Sequence, residues 1–187
     1  HHERHLHRSA VFGDPLAQGG TGLAMEVNFG GPMLELLREA IAGRAFPMPL
    51  AEHLGFHVVE AEPGVVTVEL VPKEVHRNIA GTIHGGVLSV IADSAMGLAF
   101  GTTMEKGQSF TTVEQKINYL RPVFEKTVRA RGEVLQRGRT LGFMECRITD
   151  SDGKLVAFAT STYAVLEGKS AQGREIREEY GGRGTEG

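Results

Sequence analysis

The sequence predicts an α+β fold in which one long apolar helix lies against about six mainly antiparallel strands. Three observations carry this. A single uninterrupted apolar stretch of helical length runs from about Gly85 to Thr102. Everything after it is strand-like, and each boundary carries a turn signal: Arg121-Pro122, Arg137-Gly138-Arg139 and Asp150-Ser151-Asp152-Gly153. Between them, Val128, Ala130, Gly132 and Val134 alternate with Thr127, Arg129, Arg131 and Glu133, the period of a strand with one buried face.

The elements follow in order. Residues 1–28 read as a tail. The opening run, His1-His2-Glu3-Arg4-His5-Leu6-His7-Arg8, holds four of the eight histidines and is read as disordered, an expression remnant or an upstream start, with Met25 as the expected true start. Weak metal binding by this run is the alternative. Residues 29–49 form an N-terminal extension, in which Met33, Leu34, Leu37 and Ile41 recur at helical spacing and Gly43 ends the helix. Pro47-Met48-Pro49 is expected to prevent its continuation. Leu54 to Val59 and Val65 to Val71 read as a hairpin about Glu62-Pro63-Gly64. A loop from Pro72 to His84 leads into the long helix. The remaining strands are Ser109 to Leu120, Thr127 to Gln136, Thr140 to Thr149 and Lys154 to Leu166, the last two joined by an Asp-Gly turn. Residues 167–187 alternate glycine and charge and read as a flexible tail.

Composition excludes several classes. A chain of 187 residues, 41% hydrophobic and 23% charged, is ordinary for one globular domain with tails. A net charge of −3 offers no footprint for nucleic acid or an anionic membrane. The one cysteine, Cys146, rules out an internal disulfide and fits a reducing compartment, and in a strand-like run it reads as a buried thiol. No apolar run approaches the ~20 residues that span a bilayer. The expected location is cytoplasmic, with no nucleic-acid or membrane partner.

The long helix carries the chemistry. At 100° per residue, Val87, Leu88, Ile91, Ala92, Ala95, Leu98 and Ala99 fall on one arc, the expected core face. Gly86, Ser89, Asp93 and Gly97 fall on a second, small or polar arc. An ionised Asp in an apolar helix needs partners or a task. Asp93 therefore sits either where a neighbouring element packs closely, satisfied by local hydrogen bonds, or on a ligand or subunit seam as its reactive group. Gly85 and Gly86 open the helix, where free N–H donors and the positive dipole end suit a developing oxyanion. Asp93 lies eight residues further on, ~12 Å along the axis at ~1.5 Å per residue. That is too far for both to act on one carbonyl, so a site using both requires the Asp93 of a second copy.

At this point the chain resembles the hotdog-fold thioesterases, specifically the PaaI-like (phenylacetic acid degradation) branch that hydrolyses acyl-coenzyme A thioesters. The resemblance spans about Leu50 to Leu166, the expected thioesterase domain 50–166. It rests on Asn78, Gly81 and His84-Gly85-Gly86, on Ala92-Asp93-Ser94-Ala95, on Asn118-Tyr119-Leu120-Arg121-Pro122, and on Arg137-Gly138-Arg139-Thr140. It implies the hotdog fold, a long central α-helix wrapped by a six-stranded antiparallel β-sheet, with dimers, commonly paired into tetramers, whose active sites lie between subunits. It implies Asp93 as general base or nucleophile, the Gly85 N–H as oxyanion donor, and Asn78 and His84 as positioning groups from the opposite subunit. Thr112 matches a residue that holds the attacking water, though a slip of one would exchange it for Thr111. Arg137, Gly138 and Arg139 would meet the coenzyme A phosphates.

Plainer readings stand beside these. Asn78 closes its own loop, His84 orients its own turn, and residues 137–139 form an ordinary hairpin tip. His53, His57 and His76 have no metal-ligand spacing and receive no role, and the chemistry calls for neither metal nor cofactor. Phe56, Phe100, Phe110 and Phe143 read as core or as an aromatic pocket. Residues 29–49 extend beyond the minimal domain, either as a cap on the acyl pocket or at an oligomer interface. The alternative functions are a hotdog hydratase or dehydratase, whose proline-rich His motif is absent, and an acyl-CoA sensor, for which no DNA-binding helix pair is found.

Overall fold

The computed structural model describes residues 32–44 and 48–174. The expected tail 1–28 with its start at Met25, residues 29–31 and 45–47, and the tail from 175 onward lie outside them. The elements are α1 (Pro32–Ile41), α2 (Pro49–Leu54), β1 (Phe56–Glu62), β2 (Val65–Leu70), α3 (Gly85–Gly101), β3 (Ser109–Tyr119), β4 (Val128–Arg137), β5 (Leu141–Asp150) and β6 (Leu155–Leu166). The six strands form one sheet in the order β1-β2-β4-β5-β6-β3, every neighbouring pair antiparallel. This is the expected hotdog arrangement, with α3 packed against the concave side of the sheet.

Turn chemistry sets the hairpins. Gly64 and Gly153 take positive φ, 75° each, at the β1–β2 and β5–β6 turns. The Asp150 carboxylate accepts from the backbone N–H of Asp152 and Lys154, closing the second turn. The edges are β1 and β3. β3 joins the sheet through β6, the last strand among the described residues, a long-range pairing that local periodicity does not encode.

Two expectations are corrected. Leu54 belongs to a helix, because Pro49 opens α2 instead of only ending what precedes it. Proline lacks the N–H that a first helical turn leaves unpaired anyway. Gly55 closes α2 in the left-handed region (φ 79°), and the strand begins at Phe56. The expected tail is not uniform either: Gly168–Ser170 form a 3-10 turn and Ala171 is buried. The loop before α3 also contains a 3-10 turn, Glu74–His76, and a bridge between Arg77 and Ile83.

The core lies between α3 and the sheet. Ile91, Ala92, Ala95, Met96, Ala99 and Phe100 are wholly buried, so the C-terminal half of α3 is enclosed well beyond the predicted arc, while Val87 is only partly covered. Met96, Gly97 and Phe100 are buried although that arc left them out. Helix α1 spends its apolar face within the chain: Met33, Leu34 and Leu37 are buried, and Met33 lies over Gly101 of α3. The tightest approach of helix backbone to a glycine is between α3 and β4. A Cβ on Gly132 would stand 2.5 Å from the Ala95 carbonyl carbon and 2.6 Å from the Met96 nitrogen. Those atoms are helix backbone and have nowhere to go. Gly132→Ala is therefore expected to destabilise the protein by about 3 kcal/mol or more, measured by urea unfolding; a loss below ~0.5 kcal/mol would mean the helix does not sit this close.

Candidate active site

Helix α3 and strand β3 run in opposite directions and meet in a seam of matched pairs. The Tyr119 hydroxyl donates to the Gly85 carbonyl at 2.9 Å. Gln115 Nε2 donates to Ser89 Oγ at 2.8 Å. Thr112 Oγ1 donates to Asp93 Oδ1 at 3.0 Å. At the far end the Phe110 ring lies over Gly97. The small-residue stripe is thus where a neighbouring element packs, and that element is β3 of the same chain. Its N-terminal member is Gly85 rather than Gly86, which is exposed.

The inner face of β3 reads Phe110, Thr112, Gln115, Tyr119, a change from even to odd numbers. A bulge between Thr112 and Glu114 makes the change, leaving Val113 without a partner on β6. Thr112 pairs with Tyr163 and Gln115 with Ser161. Without the extra residue, one of Thr112 and Gln115 would point away from the helix. Of the two neighbouring threonines, Thr112 is the one that reaches Asp93.

Asp93 has a second partner that sequence reasoning missed. The hydroxyl of wholly buried Tyr163 donates to Asp93 Oδ1 at 2.7 Å and lies 3.0 Å from the Asp93 carbonyl oxygen. Burial, and then the Asp93 charge, push the Tyr163 phenol well above its usual range, so it remains a donor. The available signal was the β6 face Ala157, Ala159, Ser161, Tyr163: a hydroxyl-tipped ring on the core side must find a partner. Among the described residues Asp93 has no salt bridge, and Oδ2 receives no hydrogen bond. One oxygen is held by two hydroxyls and the other has no donor among the described residues.

At the start of α3, His84 is the N-cap, and its Nδ1 accepts from the Gly86 N–H at 2.8 Å. This narrows the expected pair of amide donors to Gly85, whose N–H has no acceptor among the described residues. With Nδ1 accepting, the neutral ring of His84 carries its proton on Nε2 and presents it on the exposed side. Asn78 closes its loop: Oδ1 accepts from the N–H of Ala80 (2.9 Å) and Thr82 (3.2 Å), and Nδ2 donates to Thr82 Oγ1 (2.8 Å). Beside them a groove of about 340 Å³ is lined by Asn78, Gly85, Leu88, Tyr119 and Arg121, among others. Arg121 is exposed and in no salt bridge among the described residues.

The predicted residues 137–139 sit elsewhere. Arg137 donates through Nε to Thr103 Oγ1 at 3.0 Å and through Nη1 to the Gly138 carbonyl, with its guanidinium 5.3 Å from the centre of the Phe100 ring. Its burial lowers its pKa, partly offset by Glu105 and Glu167. These contacts lie at the C-terminal end of α3, ~22 Å along the axis from Gly85. Arg137 is committed to the fold, and Arg139 is the exposed cation of that tip. His76 is wholly buried, accepting from the Lys73 N–H and bonded to the Leu54 carbonyl. Phe100 and Phe110 pack with Tyr163, Phe56 is core, and Phe143 is exposed. Cys146 is buried, its thiol pushed up to about 12 by that burial. Among the described residues no group of His, Cys, Asp or Glu could hold a metal, and no helix is long and apolar enough to cross a membrane.

With this geometry in view, comparison with known proteins is decisive. Residues 80–157 match the family model of the thioesterase superfamily. The chain is 32% identical to acyl-coenzyme A thioesterase 13 of Homo sapiens over 67% of its own length and 91% of that protein's. The chain belongs to the thioesterase superfamily. It is 31% identical to the 1,4-dihydroxy-2-naphthoyl-CoA hydrolase of Listeria monocytogenes, covering 63% of this chain and 96% of that one. A mutant of the phenylacetic acid degradation protein PaaI from Thermus thermophilus superposes with a TM-score of 0.59 at 30% identity, over 63% of this chain and 98% of that one. The protein is a PaaI-like hotdog thioesterase, a thioester hydrolase by class. The span matched by the family model takes in Gly85, Asp93 and Thr112 and ends before Tyr163.

Asn78→Ala removes the acceptor for two backbone N–H groups. Hydrogen exchange at the Ala80 and Thr82 amides is expected to accelerate roughly fivefold, corresponding to about 1 kcal/mol of loop stability. Unchanged protection would show that the turn holds itself without the side chain.

Proposed function

We propose that this thioesterase hydrolyses acyl-coenzyme A thioesters at a site shared between two copies of the chain. The observation that carries the reading is the division of labour along α3. Asp93 has a free oxygen at mid-helix, and the Gly85 N–H has no acceptor ~12 Å away, at the positive end of the same helix. Each is half of what acyl transfer requires, and one helix cannot bring both to one carbonyl.

On this reading the Gly85 N–H of one copy hydrogen-bonds the thioester oxygen and stabilises it as charge develops. Oδ2 of Asp93 from the other copy takes a proton from water as the water oxygen bonds to the acyl carbon, or attacks that carbon itself. The carbon–sulfur bond then breaks, and the thiolate leaves and is protonated; on the second route water then hydrolyses the acyl–Asp93 anhydride, releasing the acid and restoring the carboxylate. Thr112 steers Oδ1 and stands where an incoming water would pass. Asn78 acts through the loop it closes, and His84 caps the helix at Gly86, beside the Gly85 donor. The exposed Arg121 on the groove, and Arg139 at the hairpin tip, suit the coenzyme A phosphates better than Arg137. An eleven-residue β3 with one open edge favours pairing with a second copy, which would cover that edge.

The test is release of free thiol from a panel of aliphatic and aromatic acyl-coenzyme A esters, by wild type and Asp93→Ala. At least one ester is expected to turn over, with kcat falling on the order of 10³-fold in Asp93→Ala. No turnover on any ester, or an Asp93→Ala protein as active as wild type, would contradict the reading.

A further inference from the structure

The Tyr163–Asp93 contact has no counterpart among the groups assigned above, and it joins a wholly buried phenol to a half-buried carboxylate. The Tyr163 ring packs 5.4 Å from Phe100 and 5.9 Å from Phe110, centroid to centroid. Gly97, one turn beyond Asp93 on α3, lies against the Tyr163 ring: a Cβ there would come within 3.6 Å of it. A ring fixed on these sides leaves its hydroxyl one direction, toward Asp93. Thr112, directly opposite Tyr163 in the β3–β6 register, supplies the second donor to the same oxygen.

We propose that Tyr163 is a positioning residue for the thioesterase reaction: its hydroxyl pins Asp93 Oδ1, fixes the carboxylate plane, and makes Oδ2 the reacting oxygen. This rests on the reading of Asp93 as the reactive carboxylate. Two neutral donors also hold the charge without a cation, which would quench its reactivity. The groups around Asp93 bear this out. It is the only titratable side chain on α3, β6 contributes Tyr163, and β5 contributes the buried Cys146 thiol on its inner face. The inner face of β4 contributes only Arg137, at its end, where the guanidinium lies over Phe100 and bonds to Thr103 rather than to Asp93. On β3 the Tyr119 phenol is bonded to the Gly85 carbonyl and the Glu114 carboxylate turns outward to the Thr162 hydroxyl.

Tyr163→Phe keeps the packed ring and removes only the hydroxyl. Its kcat is expected to fall roughly 10- to 100-fold, the size of one hydrogen bond to a charged group, with KM changing less than about twofold. The acid limb of its kcat/KM profile is expected to move to higher pH, because a donor favouring the ionised carboxylate is gone. In an Asp93→Asn background, Tyr163→Phe should lower kcat no further. A purely structural role would lower melting temperature while leaving the pH limb in place, and that result would overturn the proposal, as would unchanged kcat. Should Tyr163→Phe fold poorly, 3-fluorotyrosine at position 163 fills nearly the same space with a more acidic phenol, and the limb should move to lower pH; an unmoved limb overturns the proposal. Full activity in Asp93→Asn would instead sink the assignment of Asp93, whereas an inactive Asp93→Asn beside a wild-type-like Tyr163→Phe would sink this inference alone.

Discussion

A carboxylate halfway along an enclosed helix must be satisfied by whatever faces it, and this chain supplies two hydroxyls and no cation. Much of the local architecture answers to that requirement. Strand β6 must carry a tyrosine on its inner face, and β3 must pair with β6 so that Thr112 stands opposite it. The bulge at Val113 must fall where it does, or the inner face of β3 would lose its register with the helix. The ring that aims the hydroxyl rests against the Gly97 stretch of α3, and α3 needs Gly132 on β4 to come close enough to the sheet. Each residue looks unremarkable alone; together they hold a half-buried negative charge with neutral donors at the edge of the core.

Function follows from what these contacts leave unmade. Both hydroxyls converge on Oδ1, so Oδ2 keeps its full capacity as an acceptor. At the helix start, His84 takes up the Gly86 N–H and leaves the Gly85 N–H free. The fold thereby leaves one carboxylate oxygen and one amide N–H without partners among the described residues, the base and the donor of the proposed reaction, each singled out by a neighbour that occupies the alternative. Packing, capping and reactivity are properties of the same few hydrogen bonds.

Much of this was legible in the sequence because it lies in short-range pattern. The length of α3 follows from an unbroken apolar run, β4 from strict alternation, and the β5–β6 turn from Asp-Gly. The stripe containing Ser89, Asp93 and Gly97 is a matter of 100° steps, and the reach between Gly85 and Asp93 a matter of rise per residue. What the sequence hid is non-local or dual in meaning. Proline reads as a stop, yet Pro49 starts α2. The arc drawn for the core left out Met96 and Phe100, because a single strip cannot describe a helix that a curved sheet encloses. Tyr163 is separated from Asp93 by 70 positions, and only the pairing of the first strand after the helix with the last strand among the described residues brings Thr112 and Tyr163 to one oxygen. The family resemblance put Arg137 near the coenzyme A phosphates, and only the fold shows its guanidinium lying over Phe100.

The central claim is that Asp93 and the Gly85 N–H serve one thioester from different copies of the chain. Gly85→Pro removes that single N–H at the first helical position, where proline is tolerated, and His84 already has the extended backbone (φ −60°, ψ 135°) that a following proline requires. The Tyr119 ring beside Gly85 is half exposed and free to give way. The most direct measurement is thioesterase activity after Gly85→Pro and Asp93→Ala proteins, each inactive alone, are unfolded together and refolded as a mixture. Random pairing gives about half mixed dimers, each with one intact site, so activity should recover to roughly a quarter of wild type. A mixture as inactive as its components would contradict the shared site.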